Sequence, residues 1–336
     1  MSPLSSPGAP QSVYTRLTRL DTKLARMREG RDEPTDFILA DAKDADMAGG
    51  LSGLGRNRET GRLNTLGEFD DAIRAIIRQD VVDIVLTSVS TLGRLARQGV
   101  FDAGAIRQAV RFNDTSDLWR IRGADYGRQS SVPFATARLA LSPTDLGLYS
   151  MTFSGEARAD AEALERYRVF REAAQSHGIS HFLEVFNPVS LHLDPSDYGS
   201  FLNDMVSRAL SGMETGERPV FLKLAFNGCD SLEELCRYDP SLVVGIMGGS
   251  SGTTRDCMEL LHQAQMSGAR AALFGRKILD AEDPPTMVRV MRAVTDRRLT
   301  PKEAVSFYHD LLDDAGVTPD RPRQDDQQIT QEILRQ

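Results

Sequence analysis

The sequence predicts an α/β protein folded as a TIM, or (β/α)8, barrel. Short apolar runs recur along the chain, and amphipathic helical stretches separate several of them. Polar residues and glycines collect at the ends of the runs. Strands alternating with helices imply right-handed crossovers and a parallel sheet. Eight such runs favour closure over an open doubly wound sheet. With 336 residues, 40% of them hydrophobic, there is enough apolar mass for one large core.

Residues 1–34 read as an N-terminal extension. The first twelve, MSPLSSPGAPQS, are Ser/Pro/Gly-rich and read as disordered. In 13–28, VYTRLTRLDTKLARMR puts Leu17, Leu20 and Leu24 on one side of a leading helix. The barrel is expected over 35–311. Its first strand begins at 37–40 in DFILADAKDAD. GGLSGLG follows at 49–55 and reads as a mobile loop, since no GK[ST] comes after it. The remaining strands are assigned to VVDIVLTS (81–88), FATARLAL (134–141), GLYSMTF (147–153), SHFLEVF (180–186), RPVFLKLAF (218–226), LVVGIMGG (242–249) and ARAALFG (269–275). Helices are expected in EFDDAIRAIIRQ, from Ala157 and from Thr253. Residues 111–133 are polar and irregular and read as an excursion. Within it WRIRG is an alternative strand, and Trp119 is an anchor or a subunit contact. Residues 312–336 form a polar tail, a loop with a peripheral or swapped helix.

In such a barrel chemistry belongs at the C-terminal ends of the strands. Lys223 lies inside the apolar run of the sixth strand. A buried lysine loses hydration, the loss is smaller for the neutral amine, and a neutral amine is a nucleophile. The alternative is an outward or snorkelling side chain. Gly248, Gly249, Ser250, Ser251 and Gly252 precede a helix, where backbone N–H groups favour an anion. Gly275 and Arg276 end the neighbouring strand and are expected to close on the same phosphate. A lysine here can attack a ketone and form an iminium ion, which accepts electrons when the adjacent carbon–carbon bond breaks. Glu184 and Asp41, at the ends of the fifth and first strands, are the expected acid/base groups. Lys43 and Thr87 complete the expected substrate-binding set, Lys43 for a second phosphate or carboxylate.

VFLKLAFNG and VVGIMGGSSGT…SGARAALFGRKIL resemble the class I, Schiff-base aldolases of sugar phosphates. The similarity is to the tagatose-bisphosphate, archaeal-type fructose-bisphosphate and autoinducer-processing thiolase-like members, over Asp36 to Leu279. It implies that Lys223 is the Schiff-base lysine, Asp41 the first-strand aspartate, and Glu184 the acid/base or its support. Gly249, Ser250, Gly275 and Arg276 match phosphate-binding positions. It further implies a small phosphorylated sugar or keto substrate, no cofactor, and a homo-oligomer. The chain departs from the pattern in two places. Phe153 stands where the archaeal aldolases carry a tyrosine, with Tyr149 nearby, and DAKDAD replaces the usual residues after the aspartate.

Other classes fit less well. A net charge of -8 argues against nucleic acid, and no targeting or membrane-spanning segment is legible. Cys229, Cys236 and Cys257 read as reduced thiols of a cytoplasmic protein. The five histidines form no zinc pattern, and no metal is assigned, magnesium at the 41–46 acids being the nearest alternative. GGLSGLG lacks the geometry of a dinucleotide fingerprint. Two functional alternatives stay open: another lysine-iminium reaction (thiolase-like transfer, transaldolase or decarboxylation), or an anion-binding barrel without turnover.

Overall fold

In the computed structural model, which describes residues 17–102, 104–116, 131–188, 193–248 and 252–335, eight parallel strands close into a barrel. In chain order they are β1 (Ile38–Lys43), β2 (Ile84–Thr87), β3 (Arg107–Arg111), β4 (Leu146–Thr152), β5 (Ser180–Phe186), β6 (Leu222–Leu224), β7 (Val244–Met247) and β8 (Ala271–Phe274). Each strand pairs with its neighbours in sequence, and β8 returns to β1. Among the described residues no helix is long and apolar enough to cross a membrane.

Side chains alternate across a strand, so each strand feeds two layers. Ile38, Ala40, Leu86, Ala109, Phe182 and Phe221 pack inside the barrel. Leu39, Val85, Val110, Leu183, Leu222 and Val244 face the helices. The helix Arg19–Arg28 contributes Leu20, Leu24 and Met27 to the inner cluster, whereas Leu17 is 79% exposed and lies outside the expected stripe. Lys23 of that helix donates to the Phe37 carbonyl at 2.9 Å and to Asp83 at 3.0 Å. Asp83 is fully buried and also accepts from Arg292 at 2.7 Å. These groups close the end of the barrel where the strands begin.

The third strand is not where the apolar pattern placed it. FATARLAL forms only the two-residue pairing of Pro133–Phe134 with Asp114–Thr115, then a 3-10 turn at Leu139–Leu141. Leu141 is 64% exposed. The barrel strand is RQAVR at Arg107–Arg111, whose inward side chains include a small Ala109 and a charged Arg111. Trp119 and the WRIRG alternative lie outside the described residues, as does the disordered stretch expected at 1–12. Just after β3, the Phe112 ring occupies the space beside Gly147 of β4, where an added Cβ would lie 1.8 Å from it.

Outside the barrel, His181 of β5 is buried and meets the Tyr167 hydroxyl at 2.6 Å. Burial, aided by Arg171, pushes its pKa down to about 3. In the unfolded chain a histidine binds its proton near pH 6.5, so the unfolded state gains protons first as pH falls. Stability is therefore expected to drop by about 2 kcal/mol between pH 7 and pH 5 through this group. Urea midpoints at the two pH values should show that slope, and His181→Gln should remove its share.

Candidate active site

The inward-facing positions at the open end of the barrel carry charge. In register, Ser150 of β4 pairs with Glu184 of β5, Glu184 with Lys223 of β6, and Lys223 with Gly245 of β7. The first three side chains thus stand side by side, and the next position offers no side chain to crowd the lysine. Lys223 Nζ contacts Glu184 Oε1 in a buried ion pair. Glu184 Oε2 accepts from Arg111 Nη2 at 2.8 Å and from Ser150 Oγ at 2.7 Å.

Arg111 is the hub of this cluster. Its Nη1 donates to Asp114 Oδ1 at 2.9 Å and to Ser150 Oγ at 3.0 Å, and its Nε bonds to Asp44 Oδ2. Asp114, Asp44 and Glu184 together hold its pKa above the ordinary arginine value, against the opposing effect of burial. Burial also disfavours the Asp44 carboxylate, but Arg111 and then Lys223 outweigh it and keep that pKa below the usual range. For Asp114 burial prevails over Arg111 and the pKa rises. Asn113 braces the strand junction, accepting from Ser150 N at 2.6 Å and donating to the Ser150 carbonyl at 2.7 Å.

These groups open onto a cavity of about 570 Å³ lined by Asp44, Arg111, Asp114, Glu184 and Lys223. Gly248, Gly275 and Arg276 line the same cavity, and so do Gln331 and Ile333 from the C-terminal segment. Glycine is required at 275, where an added Cβ would lie 2.8 Å from the Ala42 carbonyl oxygen. Gly249 and Ser250, named for the same anion loop, lie outside the described residues.

Three expected site residues are elsewhere. β1 runs to Lys43 rather than ending at Asp41, and Asp41 and Lys43 share the outward parity of Leu39. They pair with each other at 2.9 Å, fully enclosed, and neither lines the cavity. The inward acid of that strand end is Asp44. Thr87 has the outward parity of Val85 and donates to the Ser88 carbonyl at 3.1 Å. The helix Thr254–Met266 also differs from expectation. Its Thr254 N–H is taken by Asp326 Oδ1 at 2.7 Å and its cap is closed by Thr253 and Asp256, so an anion would have to use the loop before it. Tyr149 and Phe153 pack outward in the helix layer, Tyr149 stacked on Tyr167 at 5.0 Å between ring centres. Among the described residues no group of three or more His, Cys, Asp or Glu is placed to hold a metal ion.

Neither a protein-family model nor a curated protein sequence matches the chain. Solved structures do. An archaeal fructose 1,6-bisphosphate aldolase superposes with a TM-score of 0.61 at 13% identity, over 83% of this chain and 99% of that one. The chain has the fold of the Schiff-base aldolases. The fructose-bisphosphate aldolase from Slackia heliotrinireducens gives 0.62 at 14% identity, over 91% of this chain and 94% of the other. An archaeal fructose-1,6-bisphosphate aldolase with its catalytic lysine bound to the carbinolamine intermediate gives 0.60 at 13%, over 82% and 99%. At these identities the likeness is one of fold, and the site must be argued from its own side chains.

Replacing Arg111 by methionine would leave Asp44, Asp114 and Glu184 facing one another without their cation. A loss of about 3–5 kcal/mol is expected, the usual effect of breaking a buried charge cluster. Denaturant unfolding of Arg111→Met measures it.

Proposed function

We propose that this protein is a class I aldolase that cleaves or forms a carbon–carbon bond of a phosphorylated ketose through an iminium on Lys223. The observation that carries this reading is the placement of Lys223: inward on β6, in contact with Glu184, in a cavity bounded by Gly248, Gly275 and Arg276. The shared fold with aldolases that bind substrate through a lysine supports it.

In the cleavage direction, Lys223 passes a proton to the Glu184 carboxylate, and the neutral amine attacks the ketone carbon and forms a carbinolamine. Loss of the former carbonyl oxygen as water leaves the iminium. The bond between the α- and β-carbons then breaks, its electron pair flowing into the iminium to give an enamine, while the hydroxyl on the β-carbon loses its proton to Glu184 and that carbon departs as an aldehyde. Protonation of the enamine and hydrolysis release the second product and restore the lysine. Glu184 touches Lys223 and is the group assigned to these proton transfers. Asp44, held ionised by Arg111, takes the first-strand role expected of Asp41. Gly248, Gly275 and Arg276, with Gly249 and Ser250 of the same loop, are assigned to the phosphate. Tagatose- and fructose-bisphosphate-like ketoses are the first substrates to test.

The inward face of β4 carries Ser150 and Thr152 rather than a phenol. That observation favours a second reading, a different lysine-iminium reaction on a phosphorylated keto compound. Borohydride reduction with dihydroxyacetone phosphate should leave a stable mass adduct on Lys223, absent from Lys223→Met. No adduct would refute the covalent mechanism. An adduct without aldol products from phosphorylated ketoses would select the second reading. Glu184→Gln is expected to slow turnover by roughly 10²–10⁴-fold, and an unchanged kcat would reduce Glu184 to a structural partner of Arg111.

A further inference from the structure

The chain after the helix Pro301–Asp314 is bound along its length and returns to the open end of the barrel. Asp326 accepts from Thr254 N at 2.7 Å and meets His309 Nε2 at 3.0 Å. Thr253 Oγ1 donates to the Gln328 carbonyl at 2.6 Å. Asp256 accepts from Thr330 N at 2.8 Å, Thr330 Oγ1 at 2.5 Å and Gln331 N at 3.2 Å. Gln263 Nε2 donates to the Leu334 carbonyl at 2.9 Å, and the Leu334 side chain is buried in the helix-layer core. Between these anchors, Gln331 and Ile333 line the cavity that holds Lys223. The Gln331 side-chain amide has no hydrogen-bond partner among the described residues, and Gln331 also lines a small pocket together with Gly252 and Lys277.

We infer that the segment 328–334 is a fixed wall of the active-site cavity that sets the size of the molecule able to reach Lys223. Ile333 supplies the steric limit, and the Gln331 amide bonds an oxygen of the substrate close to its phosphate. The anchors use main-chain groups and the Thr330 and Leu334 side chains, so the residues facing the cavity are free to serve the ligand. The assignment of a phosphorylated substrate rests on the aldolase reading. The wall itself does not.

Reductive alkylation tests the wall without any turnover. Full-length protein is treated with formaldehyde or with pyridoxal 5′-phosphate, reduced with borohydride, and Lys223 modification is followed by mass spectrometry. Ile333→Ala keeps every main-chain anchor. It is expected to speed modification by the bulky aldehyde about tenfold, the effect of removing several carbons from a fitted pocket, with formaldehyde unchanged. Ile333→Trp should shift the ratio the other way. Equal effects on the two aldehydes, or none, would overturn the wall. Gln331→Ala should raise the dihydroxyacetone phosphate concentration for half-maximal trapping by about 2- to 10-fold, the loss of one hydrogen bond. An unchanged value removes Gln331 from the site. If dihydroxyacetone phosphate is never trapped in the unmodified protein, the aldolase reading fails and the contact assigned to Gln331 fails with it, while the aldehyde ratio still decides the wall.

Discussion

A lysine ammonium buried in a barrel interior is tolerated only beside compensating charge, and here Glu184 supplies it. That carboxylate cannot serve Lys223 alone, because its second oxygen would be left without a partner. Arg111 and Ser150 fill that role, and Arg111 in turn gathers Asp44 and Asp114. The result is a connected set of charges from β3, β5, β6 and the loops after β1 and β3. Each member is needed to satisfy another, which keeps the lysine at the floor of the cavity instead of folding back or turning outward.

The rest of the barrel is arranged around that polarity. At one end, Leu20, Leu24 and Met27 plug the interior, and Asp83 pairs with both Lys23 and Arg292 behind them. At the other end the inward side chains change from apolar to polar or charged within two residues, as from Leu148 to Ser150 or Phe182 to Glu184. The packed floor therefore lies directly beneath the chemistry. The carboxylate of Asp326 at the Thr254 amide shows how the fold already spends one anion-binding position on its own chain.

Much of this was legible in the letters. Lys223 and Glu184 interrupt apolar runs and so announce themselves. The glycines at 248 and 275 sit where a strand must give way to a turn. The third strand was hidden because its inward positions are Ala109 and Arg111, so no apolar run marks it. FATARLAL has more apolar residues, but it packs only Ala137 and Leu139 against the outer core and leaves Leu141 exposed. Asp41 stands out in the sequence because it ends an apolar stretch. Counting inward positions from Ile38 through Ala40 and Ala42 selects Asp44 instead. The part assigned to Gln331 and Ile333 has no signal in the letters, since the contacts that hold their segment reach back more than seventy residues along the chain.

The ring of Phe112 filling the absent side chain of Gly147 has an evolutionary corollary. Those two sites are sterically one unit, so a larger residue on β4 can arise only alongside a smaller one after β3. In distant homologues such paired replacement would trace the course of this least recognisable strand, and with it the arginine one residue earlier.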